Sequence, residues 1–487
     1  MDFALKYCQD KVDLTIFIQL PFVFYSVKRF SLFILLVVVV VGTACTSYKS
    51  QPVSSGRDSV ISVSFDRGLI ENVSLSTPAF IHTFYKDRHF TLAWSDSTGR
   101  TAVADSLIAF IRSAERYGLI PDDYHLSQID HLVSLPLSHT SAVTLDLYLS
   151  DAFVSIWHHL KLGRLDAKTL TRMNLTASKE VQVVSRLHTA IENKSVRQEL
   201  EKRFPADKQY PDLQHALQVS LAAHQTDSVS IKKRNKLIAN LERLRWKGSR
   251  PSRYIRVNTP SFMLQVFEID SLIVESKVIV GKPETPTPVL NSMVKSFIIY
   301  PYWHVPQSIV KEILPQIQED TLYLRRHNYD VLNSAGNPVR VSSVDWKAYD
   351  ANSFPFILRQ REGSENTMGV IKFVFHNNYG VYLHDTNARG LFSKSGRALS
   401  HGCIRVHRAV ALARYLIKDD YIVSPEDLDQ YMQLQHRLEI NFPKPIPIYL
   451  DYFTCESVNG AVRYYDDIYD KDELILRALR GEEPVVL

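Results

Sequence analysis

GVYLHDT (Gly380–Thr386) and SHGCIRV (Ser400–Val406) are two segments joined by a polar loop, and the rest of the chain organises around them. A thiol reacts as its thiolate, and at an ordinary pKa of about 8.5 only a few per cent is ionised near neutrality. A neighbouring imidazole that takes the proton removes that handicap. His384 ends a run with strand character, and the loop after it is long enough to return Cys403 to its side. A Cys403–His384 pair for acyl transfer is therefore expected. Gly402 permits a tight turn, so the Gly402 and Cys403 amides are candidate oxyanion donors. Arg405 is either a cation for a substrate carboxylate or a surface charge. By chance, the triplet His401-Gly402-Cys403 is expected on the order of 0.005 times in a chain of this composition.

Around these segments the backbone must turn often. The chain has only 17 glycines, yet Gly363, Gly369, Gly380, Gly390, Gly396 and Gly402 fall within 40 residues. Upstream, Tyr254–Asn258, Phe262–Ile269, Leu272–Val280 and Lys295–Tyr300 are short runs rich in Val, Ile, Phe and Tyr, and Val370–Phe375 and Val381–His384 continue them. Residues 251–455 thus read as a β-rich domain. A polar, partly helical stretch interrupts it at about 312–364, as a lid-like insertion would.

Residues 76–250 carry helical spacing instead: Leu107, Ile108, Phe110 and Ile111, then Leu145, Tyr148, Leu149, Ala152 and Phe153, then Leu237, Leu241 and Leu244. These stripes are core. The fold class expected is α+β, a helical scaffold followed by a β-rich catalytic domain, with a C-terminal segment at 456–487. Residues 46–75, rich in Ser, read as a tether.

At the N-terminus, Lys28-Arg29 precedes an apolar run from Phe30 to Val41 and then Gly42-Thr43-Ala44-Cys45. This is the anatomy of an export signal within residues 1–45. Cys45 is a candidate lipidation site, with a retained anchor or plain secretion as the alternatives. The expected location is the cell envelope, on the periplasmic side, tethered to the membrane. Lys+Arg minus Asp+Glu is 57 − 52 = +5 without a long basic run, so no nucleic acid is required as a partner. The four cysteines (Cys8, Cys45, Cys403 and Cys455) have no repeated spacing, which argues against a disulfide framework or a zinc ribbon.

The catalytic segment resembles the motif of the L,D-transpeptidase (YkuD) family, a histidine followed by [Ser/Thr]-His-Gly-Cys-x-[Arg/Asn]. The wider chain is similar to the large, YcbB-type subfamily, through Tyr117-Gly118-Leu119, NLERLRW (Asn240–Trp246), Val280-Gly281-Lys282 with Thr287-Pro288, YPYWHVP (Tyr300–Pro306) and Lys372-Phe373. Tyr300 and His304 depart from it where Asn is common, and so does Asn387 where Pro often follows. The resemblance implies an exported enzyme acting on peptidoglycan stem peptides. Cys403 would attack the carbonyl before the terminal D-Ala of a tetrapeptide, and the amine of a second stem's diamino acid would resolve the thioester into a 3-3 cross-link. His384 matches the proton acceptor and donor. His401, Gly402 and Arg405 match positions that shape the loop, bind the oxyanion and contact substrate. Trp303 and Tyr382 either line a donor groove or belong to an aromatic core. The resemblance implies no metal or organic cofactor, and the sequence does not reveal the protein partners.

Two alternatives share these residues. Water in place of the amine would give an L,D-carboxypeptidase or endopeptidase, and a buried, unreactive Cys403 would leave a wall-binding scaffold. A serine D,D-transpeptidase is disfavoured: Ser308-Ile309-Val310-Lys311, Ser364-Glu365-Asn366 and Lys394-Ser395-Gly396 mimic its motifs, but the last two lie too close together.

Overall fold

The computed structural model describes residues 73–97, 99–136, 138–165, 182–419 and 422–482. The expected export signal with Cys45, and residues 46–72 of the tether, lie outside the described residues. Among the described residues, no helix is long and apolar enough to cross a membrane.

The first half is helical. α1 (Pro78–Asp87) leads through the ribbon of β1 (Ser95–Asp96) and β2 (Gly99–Arg100) to α2 (Ala102–Arg112) and α3 (Leu126–Ser134). α4 (His139–Leu162) follows, then α5 (Val183–Glu192), α6 (Val196–Glu201), α7 (Gln209–Ala222) and α8 (Ser228–Trp246). Ser138 caps α4 by accepting the Ser141 N–H, and Gly163, at φ 83°, ends it. Every residue of α4 from Leu145 to Trp157 is buried, as in a helix at the centre of a core. Its two buried carboxylates tie the preceding loops to it. Asp146 accepts the Ala93 and Trp94 amides, both at 2.8 Å, and Asp151 accepts the Thr77 amide at 2.7 Å and meets His125 Nε2 at 2.7 Å.

The second half is a mixed β-sheet. β3 (Arg253–Asn258), β4 (Met263–Glu268), β5 (Ser271–Gly281) and β6 (Leu290–Ile299) come first. The chain then leaves this sheet and builds a small one of its own, from β7 (Trp303–His304), β8 (Tyr329–Leu332) and β9 (Ile357–Gln360) in the order β7-β9-β8. α9 (Gln307–Glu319) and α10 (Leu322–Arg326) pack on it around Val310, Leu314, Ile317, Leu324, Trp346 and Leu358. This insertion has its own core and reaches from Trp303 to Gln360. It therefore begins earlier than the 312–364 expected, because Trp303 and Val305 pack into the insertion's own core.

The main sheet resumes with β10 (Ile371–Phe375), β11 (Leu383–His384), β12 (Ala398–Ser400), β13 (Ile404–Val406) and, after α11 (Ala409–Leu416) and α12 (Pro425–Leu434), β14 (Leu438–Asp451). The order is β12-β5-β13-β11-β10-β6-β14-β3-β4, and β4 also pairs with β5, so the sheet closes on itself. β12 takes over the edge of β5 that β4 leaves: Val278 N–H goes to Phe262 O and Val280 N–H to Arg397 O. Alternate residues, among them Val257, Val266, Phe297, Phe373, Leu383 and Ile404, fill the interior together with Leu412 and Leu428 of the covering helices.

The C-terminal β15 (Cys455–Val458), β16 (Ala461–Tyr464) and α13 (Lys471–Leu479) pack back on the helical half. Cys455 is fully buried among Tyr210, Leu213, Leu241 and Leu244. Arg243 on α8 reaches Asp472 at 2.5 Å, and Asn240 donates to Thr454 Oγ1 at 2.7 Å.

Gly281 illustrates how tightly β5 is held. A Cβ there would lie 2.2 Å from Thr285 O and 2.8 Å from Thr287 N. Gly281→Ala is expected to cost about 1–3 kcal/mol of stability by overpacking. An unchanged urea midpoint would show that the 285–287 loop can yield.

Candidate active site

Successive side chains alternate across a strand, so register decides which of them meet. β11 and β13 run parallel with Leu383 opposite Ile404 and His384 opposite Arg405. Leu383 and Ile404 point into the core. Tyr382, His384, Cys403 and Arg405 therefore share the opposite face, Cys403 beside Tyr382 and His384 beside Arg405. On the far side of β11, Lys372 of β10 lies opposite His384 and joins the same face.

Cys403 is half-buried, and its Sγ contacts Gly380 O at 4.0 Å. His384 is buried, and its Nδ1 makes no hydrogen bond among the described residues. No hydrogen bond joins the thiol to the imidazole. The two residues are diagonal neighbours on adjacent strands, whose Cα atoms are typically about 7–8 Å apart with the Cβ atoms somewhat closer. Unliganded sites often hold such pairs loosely.

Burial pushes the Cys403 thiol above its ordinary range, against the pull of the Tyr382 backbone and hydroxyl, Lys372 and Arg405. Burial also lowers His384 to about 3, helped by the Arg405 charge, so the ring is neutral and able to accept a proton. Alkylation of Cys403 by iodoacetamide is accordingly expected to keep rising, about tenfold per pH unit, from about pH 7 to pH 9. A plateau below about pH 8 would reveal an acidic thiol instead.

The loop before the thiol is fixed from both sides. Ser400 Oγ accepts the Gly402 N–H at 3.2 Å and donates to Cys403 O at 2.5 Å. The Gly402 amide, expected as an oxyanion donor, is thus engaged within its own turn, as Ser-x-Gly turns favour. Thr287 Oγ1 accepts the Gly281 N–H at 2.9 Å and donates to Gly402 O at 2.8 Å. Gly402 has φ 109°, a conformation that only glycine adopts readily.

His401 points away from this face. Its Nε2 lies 2.9 Å from Glu312 Oε1 on α9, an exposed contact between the loop and the insertion. Trp303 is buried in the insertion's core, and Tyr382 packs against that core and the barrel's alike. Arg405 is half-buried, with no partner for its Nε. Asp385, next to His384, accepts the Val370 N–H at 3.2 Å and pairs with Arg389 at 2.7 Å. A cavity of about 360 Å³ opens beside it, lined by Ser364, Glu365, Asp385, Thr386, Asn387 and Arg389 among others. Sequence reasoning quoted Lys372 and Thr287 only as points of family likeness, without a role, and missed Glu312. Among the described residues, no group of three or more His, Cys, Asp and Glu side chains is arranged to hold a metal ion.

Comparison with known proteins gives two family matches. Residues 79–217 match a family described as a Scaffold domain, and residues 252–423 one described as the L,D-transpeptidase catalytic domain, YkuD. A Haemophilus influenzae protein named "Putative L,D-transpeptidase" is 36% identical over 224 residues, 45% of this chain and 45% of that protein. The match spans less than half the length of that relative. Among solved structures, the catalytic domain of E. faecium L,D-transpeptidase acylated by ertapenem is 14% identical. It covers 42% of this chain and 99% of its own, with a TM-score of 0.20. An L,D-transpeptidase from Mycobacterium smegmatis is 12% identical over 41% of this chain and 58% of its own, also at 0.20.

Proposed function

We propose that this chain, whose residues 252–423 match the L,D-transpeptidase catalytic domain (YkuD), is a peptidoglycan L,D-transpeptidase working through a Cys403 thioester. The observation that supports this most is the parallel pairing of β11 with β13, which turns Cys403 and His384 to one face beside a loop braced from two sides.

In the proposed reaction, substrate binding closes the gap between the two side chains, and neutral His384 takes the Cys403 proton. The sulfur adds to the carbonyl between the third residue and the terminal D-Ala of a tetrapeptide stem. Cys403's own amide and the Arg405 cation face the oxyanion that develops. The C–N bond breaks, His384 returns the proton to the departing amine, and a thioester remains. An amine from a second stem's diamino acid then attacks, the C–S bond breaks, and His384 takes up the amine's proton. The insertion acts as the lid. Together with the helical scaffold it suits the large, YcbB-type subfamily. The segment at 1–45 anchors the enzyme at the periplasmic side of the envelope.

The test is incubation of the full chain with tetrapeptide muropeptides, followed by mass analysis. A 3-3 linked dimer with release of D-Ala is the expected outcome. Tripeptides and D-Ala alone would make the protein an L,D-carboxypeptidase, and no product from folded protein would overturn acyl transfer altogether.

A further inference from the structure

A cation stands on the face of Cys403 that the reaction above does not use. β10 pairs with β11 and with β6, and β6 with β14, so one row of side chains crosses the sheet: Glu439, Ile298, Lys372, His384 and Arg405. Cys403 and Tyr382 form the next row. Lys372 bends toward that row, its Nζ lying 4.0 Å from the centre of the Tyr382 ring. It is half-buried, and it makes no ion pair among the described residues, although Asp and Glu neutralise many other cations of this chain.

A half-buried ammonium without a carboxylate is costly to keep unless it meets negative charge at some stage of function. Its neighbours narrow down where that charge arises. Glu439, which accepts the Ser296 hydroxyl at 2.9 Å, pulls on Lys372 more weakly than Cys403 does, while Arg437 and His304 add no negative charge. Facing Cys403 itself are Tyr382, Lys372 and Arg405, with His384 diagonal to it across the paired strands. Of the groups on this face, only the thiol acquires a negative charge in the reaction.

We propose that Lys372 is a positioning residue of the same reaction: held against the Tyr382 ring, its ammonium favours ionisation of Cys403 from the β10 side, as Arg405 does from the β13 side. Burial lowers the Lys372 pKa and the Cys403 charge raises it again, as expected of two groups within electrostatic reach. Lys372 also opposes a charge on His384, which keeps the base unprotonated before the thiol gives up its proton.

The inference rests on Cys403 being the nucleophile, and its test reads the thiol without requiring turnover. The rate at which iodoacetamide modifies Cys403 is followed across pH in the full chain, by mass mapping of the peptide that contains it. In Lys372→Met the profile is expected to move up by about half to one pH unit, lowering the rate at about pH 7.5 by about three- to tenfold. Lys372→Arg, which keeps the charge, is expected to restore it to within about twofold. Lys372→Gln serves the same comparison if the methionine variant does not fold. A Met or Gln profile that superimposes on the wild type overturns the proposal, as does an Arg variant that falls as far as Met, since either leaves only a packing role. An unmoved profile combined with a raised KM would make Lys372 a substrate-binding cation instead, which also overturns it. Absence of cross-linking by the wild type would sink the proposed function while leaving this comparison readable.

Discussion

Cys403→Ala is expected to lower the rate of stem-peptide acyl transfer by about 10⁴-fold or more, because without sulfur no thioester forms and only binding and oxyanion contacts remain. The protein should still fold: Cys403 is half-buried, and its Sγ contact with Gly380 O is long, at 4.0 Å. His384→Ala should cost about 10²–10⁴-fold, the usual worth of a general base. His401→Ala should cost far less, since that imidazole meets Glu312 rather than the thiol. Single-turnover formation of the acyl-enzyme, followed by intact mass, separates the three. Full acylation in His384→Ala would move the base elsewhere.

The largest expected effect on stability lies away from the thiol, where the helical half meets the sheet. Asp451 ends β14 and is nearly buried, at 7% exposure. Arg250 reaches it at 2.5 Å, Arg256 at 2.7 Å and Lys247 at 3.7 Å, and Glu456 also pairs with Arg256. Burial alone would raise the Asp451 pKa, but Arg250, Lys247 and Arg256 together hold it far below the usual carboxylate range. A carboxylate with a depressed pKa stabilises the fold above its unfolded value of about 3.9, and the contribution is lost as acid titrates it in the native state. It is fully present at neutral pH. Asp451→Ala leaves two or three buried cations short of a counter-charge and is expected to cost about 3–5 kcal/mol. Urea unfolding of the full chain at neutral pH measures this, and a loss under about 1 kcal/mol would mean the cluster contributes little.

Much of the architecture was legible because it follows from local periodicity. The runs rich in Val, Ile and Phe at 254–258, 262–269 and 272–280 became β3, β4 and β5 nearly residue for residue, and the stripe Leu237, Leu241 and Leu244 lies on the buried side of α8. Closure of the sheet was not legible, since it depends on a pairing of β4 with β5 and on the register of strands only two or three residues long. The early start of the insertion escaped notice for a similar reason: Trp303 has strand character, and nothing local says which sheet it joins.

The thiol and the histidine stood out because both lie at strand ends within one glycine-rich window. Their supports did not. Lys372 reads as one outward residue of an alternating strand, IKFVF, and only register with β11 gives it meaning. Glu312 lies 89 positions from His401, beyond any local pattern. A signal did exist for the Gly402 amide, since serine two residues before glycine commonly accepts such an N–H.

A closed ring of strands also limits how a peptide can be read. Recognition by strand addition needs a free edge of N–H and C=O groups, and among the described residues the closed sheet offers only short ones, at β12 and along the parts of β5 and β6 that β13 and β10 leave uncovered. Under the proposed function, a stem peptide would then be gripped mainly through its side chains and termini. Backbone chirality along the stem becomes a matter of shape, which suits a ligand whose residues alternate in handedness and cannot extend a pleated sheet.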